Sequence, residues 1–279
     1  MKKVAAGIVL YNPGKELLTE NIEAVIDQVE LLILVDNCSG NLKEIQDLVD
    51  VYEKRQKVCF IRNDKNEGIA KALNQIVDTA REQQCDWVLT LDQDSVCCDD
   101  LIRQYAEFSE LPDAAMLVPV IHYRNHNNDM NYTEPYEVTK RSITSGSLLN
   151  IAAYEKIGRF TEKLFIDHVD TEYCARVYAT GMKIYRINGV SLLQQWGDGK
   201  EVTLDGVRVT ATNHNALRRY YISRNRVYCA RFYPEYVGRK HTISFLYGTM
   251  RIIWHFEDDR YKKIWAMIRG SIAGLFMRK

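Results

Sequence analysis

Residues 87–95 read Trp87-Val88-Leu89-Thr90-Leu91-Asp92-Gln93-Asp94-Ser95. A short apolar run leads straight into two carboxylates two positions apart. The run has the length of a strand and is too short for a helix, which puts Asp92 and Asp94 at a strand's carboxyl end. Two carboxylates there can share a divalent cation, a hard ion that takes oxygen ligands and adds waters and substrate phosphates to its shell. A solvated turn gives the same triplet, and Asp-x-Asp is common by chance, so the surrounding pattern has to decide.

Upstream, short apolar runs alternate with helical spacing. Residues 4–10, 31–35 and 58–61 read as strands. Between them Leu18, Ile22, Val25, Ile26 and Val29, then Leu42, Ile45, Leu48, Val49 and Tyr52, recur at helical intervals, and Ile69, Leu73, Ile76, Val77 and Ala80 follow the third strand. A further helix is expected at 101–108. This rhythm predicts an α/β fold with a mostly parallel sheet covered by helices. Such sheets bind ligands at the carboxyl ends of their strands.

After Pro112 the pattern changes. Residues 115–121 read as a strand, 122–136 as an Asn-rich loop and 143–150 as another strand. A helix at 171–180 leads into a strand at 182–187, and 194–202 reads as a loop. From His214 the chain reads as wholly helical. The expected division is a domain at 1–212 and a helical extension at 213–279.

Bulk properties fit one sizeable α/β core. Hydrophobic residues make up 46% of the 279 and charged residues 27%. The 37 basic residues cancel the 37 acidic ones, which argues against a general nucleic-acid binder. The 7 cysteines form no C-x-x-C pair and read as free thiols of a reducing cytosol. Lys2, Lys3 and the apolar run after them mimic a signal peptide. The run is short, lacks a cleavage site and stops at Asn12-Pro13, so it reads as a buried strand.

Polar groups follow every early strand: Tyr11-Asn12, then Asp36-Asn37-Cys38-Ser39, then Asn63 to Gly68 and Asn74, then Asp92 to Asp94. Taken alone, Asp36 and Ser39 are ordinary turn and cap residues. A second cluster, Phe165-Ile166-Asp167-His168-Val169-Asp170-Thr171-Glu172, sets three carboxylates among apolar neighbours. Like charges held close raise each other's pKa, which suits a general base. Helix capping by Asp170, with Glu172 in the first turn, is the competing reading.

In order, these clusters resemble the inverting GT-A nucleotide-sugar glycosyltransferases of family 2, over residues 4–176. A narrower resemblance is to bacterial rhamnosyltransferases. They share the Asp-Gln-Asp triplet, Ile143-Thr144-Ser145-Gly146, the Phe165 to Glu172 segment, and Arg218-Arg219-Tyr220-Tyr221-Ile222-Ser223-Arg224-Asn225. The resemblance implies a GT-A sheet and a donor that is a nucleotide-diphosphate sugar, dTDP-rhamnose or a UDP-sugar. It implies a nucleobase pocket at Tyr11, Asn12 and Asp36, a donor border at Asn66, Gly68 and Asn74, Asp92 near ribose and metal, and Asp94 as the ligand of Mg²⁺ or Mn²⁺. Asp170 falls at the family's catalytic base. The acceptor would be a saccharide or lipid-linked saccharide in cell-surface polysaccharide synthesis. Many relatives carry a histidine where this chain reads Leu192-Leu193-Gln194-Gln195-Trp196-Gly197, leaving Gln194 or His214 to replace it.

Two other functions are weighed. A nucleotidyltransferase also uses strand-end carboxylates, but Tyr11-Asn12-Pro13-Gly14-Lys15 makes a poor phosphate loop. A non-catalytic glycan- or nucleotide-binding relative would account for the missing histidine, though not for intact Asp92, Asp94 and Asp170. At the C-terminus, Tyr261, Ile264, Trp265, Ile268, Ile272, Leu275 and Phe276 recur at helical spacing beside Lys262, Lys263, Arg269, Arg278 and Lys279. That stripe either packs on the core or lies on the inner membrane face of a cytoplasmic protein.

Overall fold

The computed structural model describes residues 3–53, 57–124, 132–195, 197 and 199–279. Two compact units emerge: Met1–Glu162 with Arg176–Gln195, and Lys163–Ala175 with Trp196–Lys279.

The first unit is built on the expected rhythm. Strands β1 (Val4–Leu10), β2 (Leu31–Asp36), β3 (Val58–Arg62) and β4 (Trp87–Asp92) alternate with helices α1 (Lys15–Ile26), α2 (Leu42–Glu53) and α3 (Ile69–Glu82). The four strands lie parallel in the order β3-β2-β1-β4. β1 is buried along its whole length, as a central strand covered on both faces must be. Ile8, Leu10, Leu18, Ile22, Leu34, Ile45 and Leu89 belong to one core cluster. Each such side chain contributes about 1.5–3 kcal/mol on burial. Gly7 lets α3 approach closely, because a Cβ there would meet the Ile76 side chain at 2.2 Å.

Beyond β4 the sheet becomes mixed. β5 (Val96–Cys97), α4 (Leu101–Ala106), β6 (Ala114–Tyr123), β7 (Tyr136–Thr139), β8 (Ser147–Asn150), α5 (Ile151–Ile157), the end of α6 (Val169–Ala179) and β9 (Lys183–Gln194) follow. β8 runs antiparallel between β4 and β6, while β6 and β9 are parallel. Several expectations change here. The strand expected at 143–150 covers only its second half, since Gly146 takes φ +74 and residues 144–147 form a turn. β6 runs into the start of the Asn-rich loop expected at 122–136 and β7 begins at its last residue; residues 125–131 lie outside the described residues. β9 runs on to Gln194, well past the expected end at 187.

In the second unit, β10 (Lys200–Leu204) and β11 (Val207–Ala211) form a hairpin, which starts within the loop expected at 194–202 and runs beyond it. Asp205 and Gly206 link them with φ +51 and +79, the paired left-handed residues of a two-residue hairpin turn. The wholly helical C-terminus is as expected: α7 (Ala216–Phe232), α8 (Pro234–Val237), α9 (Arg239–Phe256) and α10 (Arg260–Phe276).

The apolar stripe of α10 is not core. Trp265 is 61%, Leu275 55% and Phe276 79% exposed. The helix buries Lys263, Met267, Gly270 and Gly274 instead. Cβ atoms at Gly270 and Gly274 would lie 2.3 Å from the carbonyl oxygens of Tyr220 and Arg224, so α10 docks on the backbone of α7. Alanine at 270 gains roughly 1 kcal/mol of helix propensity, but overpacking against backbone costs about 1–3 kcal/mol. Gly270→Ala is therefore expected to lower the melting temperature. Gly248→Ala in α9, where a Cβ meets nothing within 4 Å, should leave it unchanged or raise it; equal shifts in both variants would refute the close packing.

Candidate active site

Strands β1 to β4 end on one edge of the first unit's sheet, and the polar segments after them bind one another. The Tyr11 N–H donates to Gln93 Oε1 at 2.8 Å, and Gln93 Nε2 donates back to the Tyr11 carbonyl at 3.3 Å. The Asn12 N–H donates to Ser39 Oγ at 2.8 Å, and Asn12 Oδ1 accepts from the Gly40 N–H at 2.7 Å. Asn37 Oδ1 accepts from Asn63 Nδ2 and the Glu67 N–H, and Asn37 Nδ2 donates to Asn66 Oδ1 at 3.1 Å. Asn66 Oδ1 also accepts from the N–H of Gly68, whose φ of +86 turns the chain into α3 at a position suited to glycine.

Burial sorts the expected donor residues into two groups. Tyr11, Asn12, Asn66, Asp92 and Asp94 keep exposed surface. Asp36, Gly68 and Asn74 are buried and brace their neighbours. Asp36 accepts from the Ser39 N–H at 3.2 Å and pairs with Arg62 at 3.2 Å. Asn74 Oδ1 accepts from Tyr154 OH at 2.7 Å and the Phe160 N–H at 2.9 Å, and Asn74 Nδ2 donates to Glu162.

The 144–147 turn supports the carboxylate pair. Ser145 Oγ accepts from the Asp92 N–H at 3.0 Å and bonds Ser95 Oγ at 2.8 Å. Asn21 Nδ2 donates to the Asp92 carbonyl at 2.7 Å, and Gln194 Nε2 donates to Asp92 Oδ2 at 3.0 Å. Gln194 thus binds Asp92, one member of the carboxylate pair; Trp196, close by in sequence, lies outside the described residues. Burial pushes the Asp94 carboxyl above its ordinary value, opposed by its own backbone N–H and by Arg124. No cluster of three or more His, Cys, Asp or Glu suited to a metal occurs among the described residues. The oxygen set at Asp92 and Asp94 suits Mg²⁺ or Mn²⁺ only if phosphate oxygens and water complete the shell.

His214 lies in the second unit, where burial, with Arg218, Arg219 and Lys263 nearby, pushes its pKa down to about 4.

In the second unit, residues 163–168 lead into α6. Phe165, Asp167 and His168 take φ of +63, +63 and +62, each about 1–2 kcal/mol unfavourable for a non-glycine residue. The helix begins at Val169, so Asp170 sits within its first turn and does not cap it. Asp170 Oδ1 accepts from the Thr171 N–H at 2.6 Å and Thr171 Oγ1 at 3.2 Å. Burial still raises its pKa above the ordinary carboxylate value, with Asp167 adding to the rise. The other two carboxylates have strong partners: Asp167 pairs with Arg218 at 3.1 Å, and buried Glu172 accepts from Tyr233 OH at 2.8 Å.

Solved structures of glycosyltransferases share this fold. GalNAc-T7 crystallised with UDP, GalNAc and Mn²⁺ superposes with a TM-score of 0.64 at 13% identity, covering 94% of this chain and 53% of that one. Residues 1–349 of S. aureus TarS with UDP give 0.57 at 13% identity, covering 97% and 90%. At such identities the likeness concerns the fold alone. The chain belongs to glycosyl transferase family 2, whose model matches residues 6–186. It is 30% identical over 239 residues to the dTDP-rhamnosyl transferase RfbF of Shigella flexneri, covering 80% of this chain and 78% of that one. It is 25% identical over 138 residues to an uncharacterized glycosyltransferase of Methanocaldococcus jannaschii, covering 47% and 46%.

Sequence reasoning missed Gln93, Asn21 and Ser145 as supports. The 143–146 stretch was quoted as a motif, but nothing local to it shows that the Ser145 hydroxyl meets the Asp92 backbone. His168 offers a solution test of the second unit. Burial and Arg226 push its pKa from 6.5 down to about 4, as happens to His214. The folded state then resists protons that the unfolded chain takes up. The stabilisation these two histidines provide is complete above pH 6.5 and is lost as pH falls toward about 4. Histidine NMR should show two rings titrating near 4; ordinary titration of all six histidines would contradict their burial.

Proposed function

We propose that this glycosyltransferase moves rhamnose from dTDP-rhamnose to a saccharide or lipid-linked saccharide hydroxyl, with inversion, in cell-surface polysaccharide synthesis. The observation that carries the donor assignment is the similarity to the Shigella dTDP-rhamnosyl transferase over 80% of the chain. Tyr11, Asn12 and Asn66 line the donor; Asp36, through Ser39, braces Asn12, Gly68 braces Asn66, and Asn74 braces the neighbouring segment at Tyr154 to Glu162. Asp92 and Asp94 would hold Mg²⁺ or Mn²⁺, which would neutralise charge on the diphosphate and make it a better leaving group. Asp170 accepts the acceptor's hydroxyl proton as that oxygen bonds the anomeric carbon and the bond to dTDP breaks.

A second element of the proposal is weak attachment to the inner membrane face of the cytoplasmic protein. The exposed Tyr261, Trp265, Ile272, Leu275 and Phe276 of α10 motivate it, as does a cavity of about 350 Å³ lined by Leu217, Tyr220, Trp265, Lys262 and Arg269. Apolar and aromatic groups beside cations match an anionic lipid surface. Among the described residues no helix is long and apolar enough to cross a membrane.

Nucleotide sugars screened for thermal stabilisation with and without Mn²⁺ should single out dTDP-rhamnose in the presence of metal. Asp94→Ala should lose the metal-dependent part of that stabilisation. Asp170→Asn should keep donor binding and lower transfer by about 10²–10⁴-fold. A base with a raised pKa is inactivated by protonation, so the wild-type rate should fall with an acid limb above the ordinary carboxylate range of about 3.9. Transfer by Asp170→Asn within a few-fold of wild type would remove Asp170 as the base. For the membrane element, vesicles containing phosphatidylserine should co-sediment the protein at low salt. Binding should weaken with salt, since each cation near the surface is worth about 1 kcal/mol, and in Trp265→Ser/Phe276→Ser. Equal binding to neutral vesicles would defeat the charge component, and no binding at all would defeat the attachment.

A further inference from the structure

The element Arg218 to Asn225 lies in the second unit with the loop that precedes Asp170, and it grips that loop from one helix face. Arg218, Tyr221 and Asn225 follow each other at intervals of three and four, which stacks them along one side of α7. Arg218 donates to the Asp167 carboxylate at 3.1 and 3.2 Å. Tyr221 stacks on Phe165 with centroids 5.0 Å apart and planes 24° from parallel. Arg224, its guanidinium 4.6 Å from the centre of the Tyr221 ring, donates to the carbonyls of Lys163 and Leu164. Asn225 is fully buried. Its Nδ2 donates to the carbonyls of Leu164, Ile166 and Asp167 at 2.7, 2.8 and 2.9 Å, and its Oδ1 accepts from Arg224 Nε at 2.9 Å.

The gripped loop is the strained one. Three of its non-glycine residues, 165, 167 and 168, are left-handed, and a backbone in that state persists only where its surroundings over-determine it. An amide is well suited to the task, because its NH₂ faces carbonyl oxygens that an aspartate at the same place would repel. The loop ends where α6 starts, two residues before Asp170. We propose that Asn225, seconded by Arg224, is a positioning residue for the transfer reaction: it fixes the course of residues 163–168, with its left-handed residues 165, 167 and 168, and so sets the direction and burial of the Asp170 carboxyl. This rests on the reading of Asp170 as the base. Asp167 and Cys229 are the titratable groups that act on that carboxyl; Glu172 and Arg226 face Cys229, and Arg218 is held by Asp167.

The test is a double-mutant cycle on dTDP-rhamnose hydrolysis with Mn²⁺, together with amide exchange of the loop. Asn225→Ser should open exchange across residues 163–170 while leaving the rest of α7 protected. It should lower kcat about 10²-fold, as a misplaced reacting group does, with donor KM within about twofold. Its acid limb should move down toward ordinary carboxylate values as Asp170 loses burial. In the Asp170→Asn background the same substitution should change kcat by less than about twofold. Arg224→Gln, which keeps the Asn225 amide, serves if Asn225→Ser does not fold; it should give the same pattern at smaller size. Unchanged loop exchange in both variants overturns the proposal whatever the activity. So does an effect that is fully additive with Asp170→Asn, or one that raises KM as much as it lowers kcat with the acid limb unmoved. Failure of the base reading shows separately, as near-wild-type activity of Asp170→Asn alone.

Discussion

A parallel sheet covered on both faces has no room for polar side chains along its strands, and the first unit depends on that constraint. β1, β2 and β4 are apolar and buried almost throughout. Polar residues can enter only where the strands stop, and all four early strands stop on the same edge. An unpaired buried donor or acceptor there would cost about 1–3 kcal/mol. The edge is therefore cross-linked to itself: Asn37 to Asn63 and Asn66, Tyr11 to Gln93, and Asp92 to Ser145, Asn21 and Gln194. The same requirement that stabilises the sheet brings carboxylates and amides together at one rim.

That rim has contact residues and supporting residues, and residue type does not separate them. Asp36 and Asp92 both end strands. Asp36 is buried against Ser39 and Arg62, whereas Asp92 keeps a surface. The difference lies in the side chain that reaches each carboxylate. Arg62 at the end of β3, beside β2, reaches the Asp36 carboxylate, whereas Asp92 accepts from Gln194 at the end of β9.

The second unit follows a different logic. Its interior holds Arg219, Glu257 and Lys263, all nearly inaccessible, with Glu257 bridging the two cations at Arg219 Nη2 and Lys263 Nζ. Buried ion pairs are weak evidence for stability, but breaking one by removing a single partner is strongly destabilising. This network ties the start of α7 to the start of α10. Gly270 and Gly274 then bring the two helices into backbone contact. Close docking by glycines leaves the large apolar residues of α10 on the opposite face, which is why its periodic stripe points away from the core.

The sequence by itself determined the alternation of strands and helices through residue 92, because hydrophobic period and strand-end polarity are local properties. The ordered clusters from Tyr11 to Asp170 were legible for the same reason, and they carried the family resemblance. Local signals failed where the partner was distant. The Asp205-Gly206 hairpin had its signal in the sequence and was passed over. The burial of Asp36 and Asn74 had no such signal, nor did the Ser145 contact to the Asp92 backbone. A hydrophobic stripe also fixes only that a helix has two faces. Which face is buried depended on Gly270 and Gly274 meeting the carbonyls of α7, and the left-handed loop before Asp170 depended on an amide 58 residues further along the chain from Asp167. Both are contacts between segments far apart in sequence, which no local period or spacing encodes; only the tertiary structure decided them.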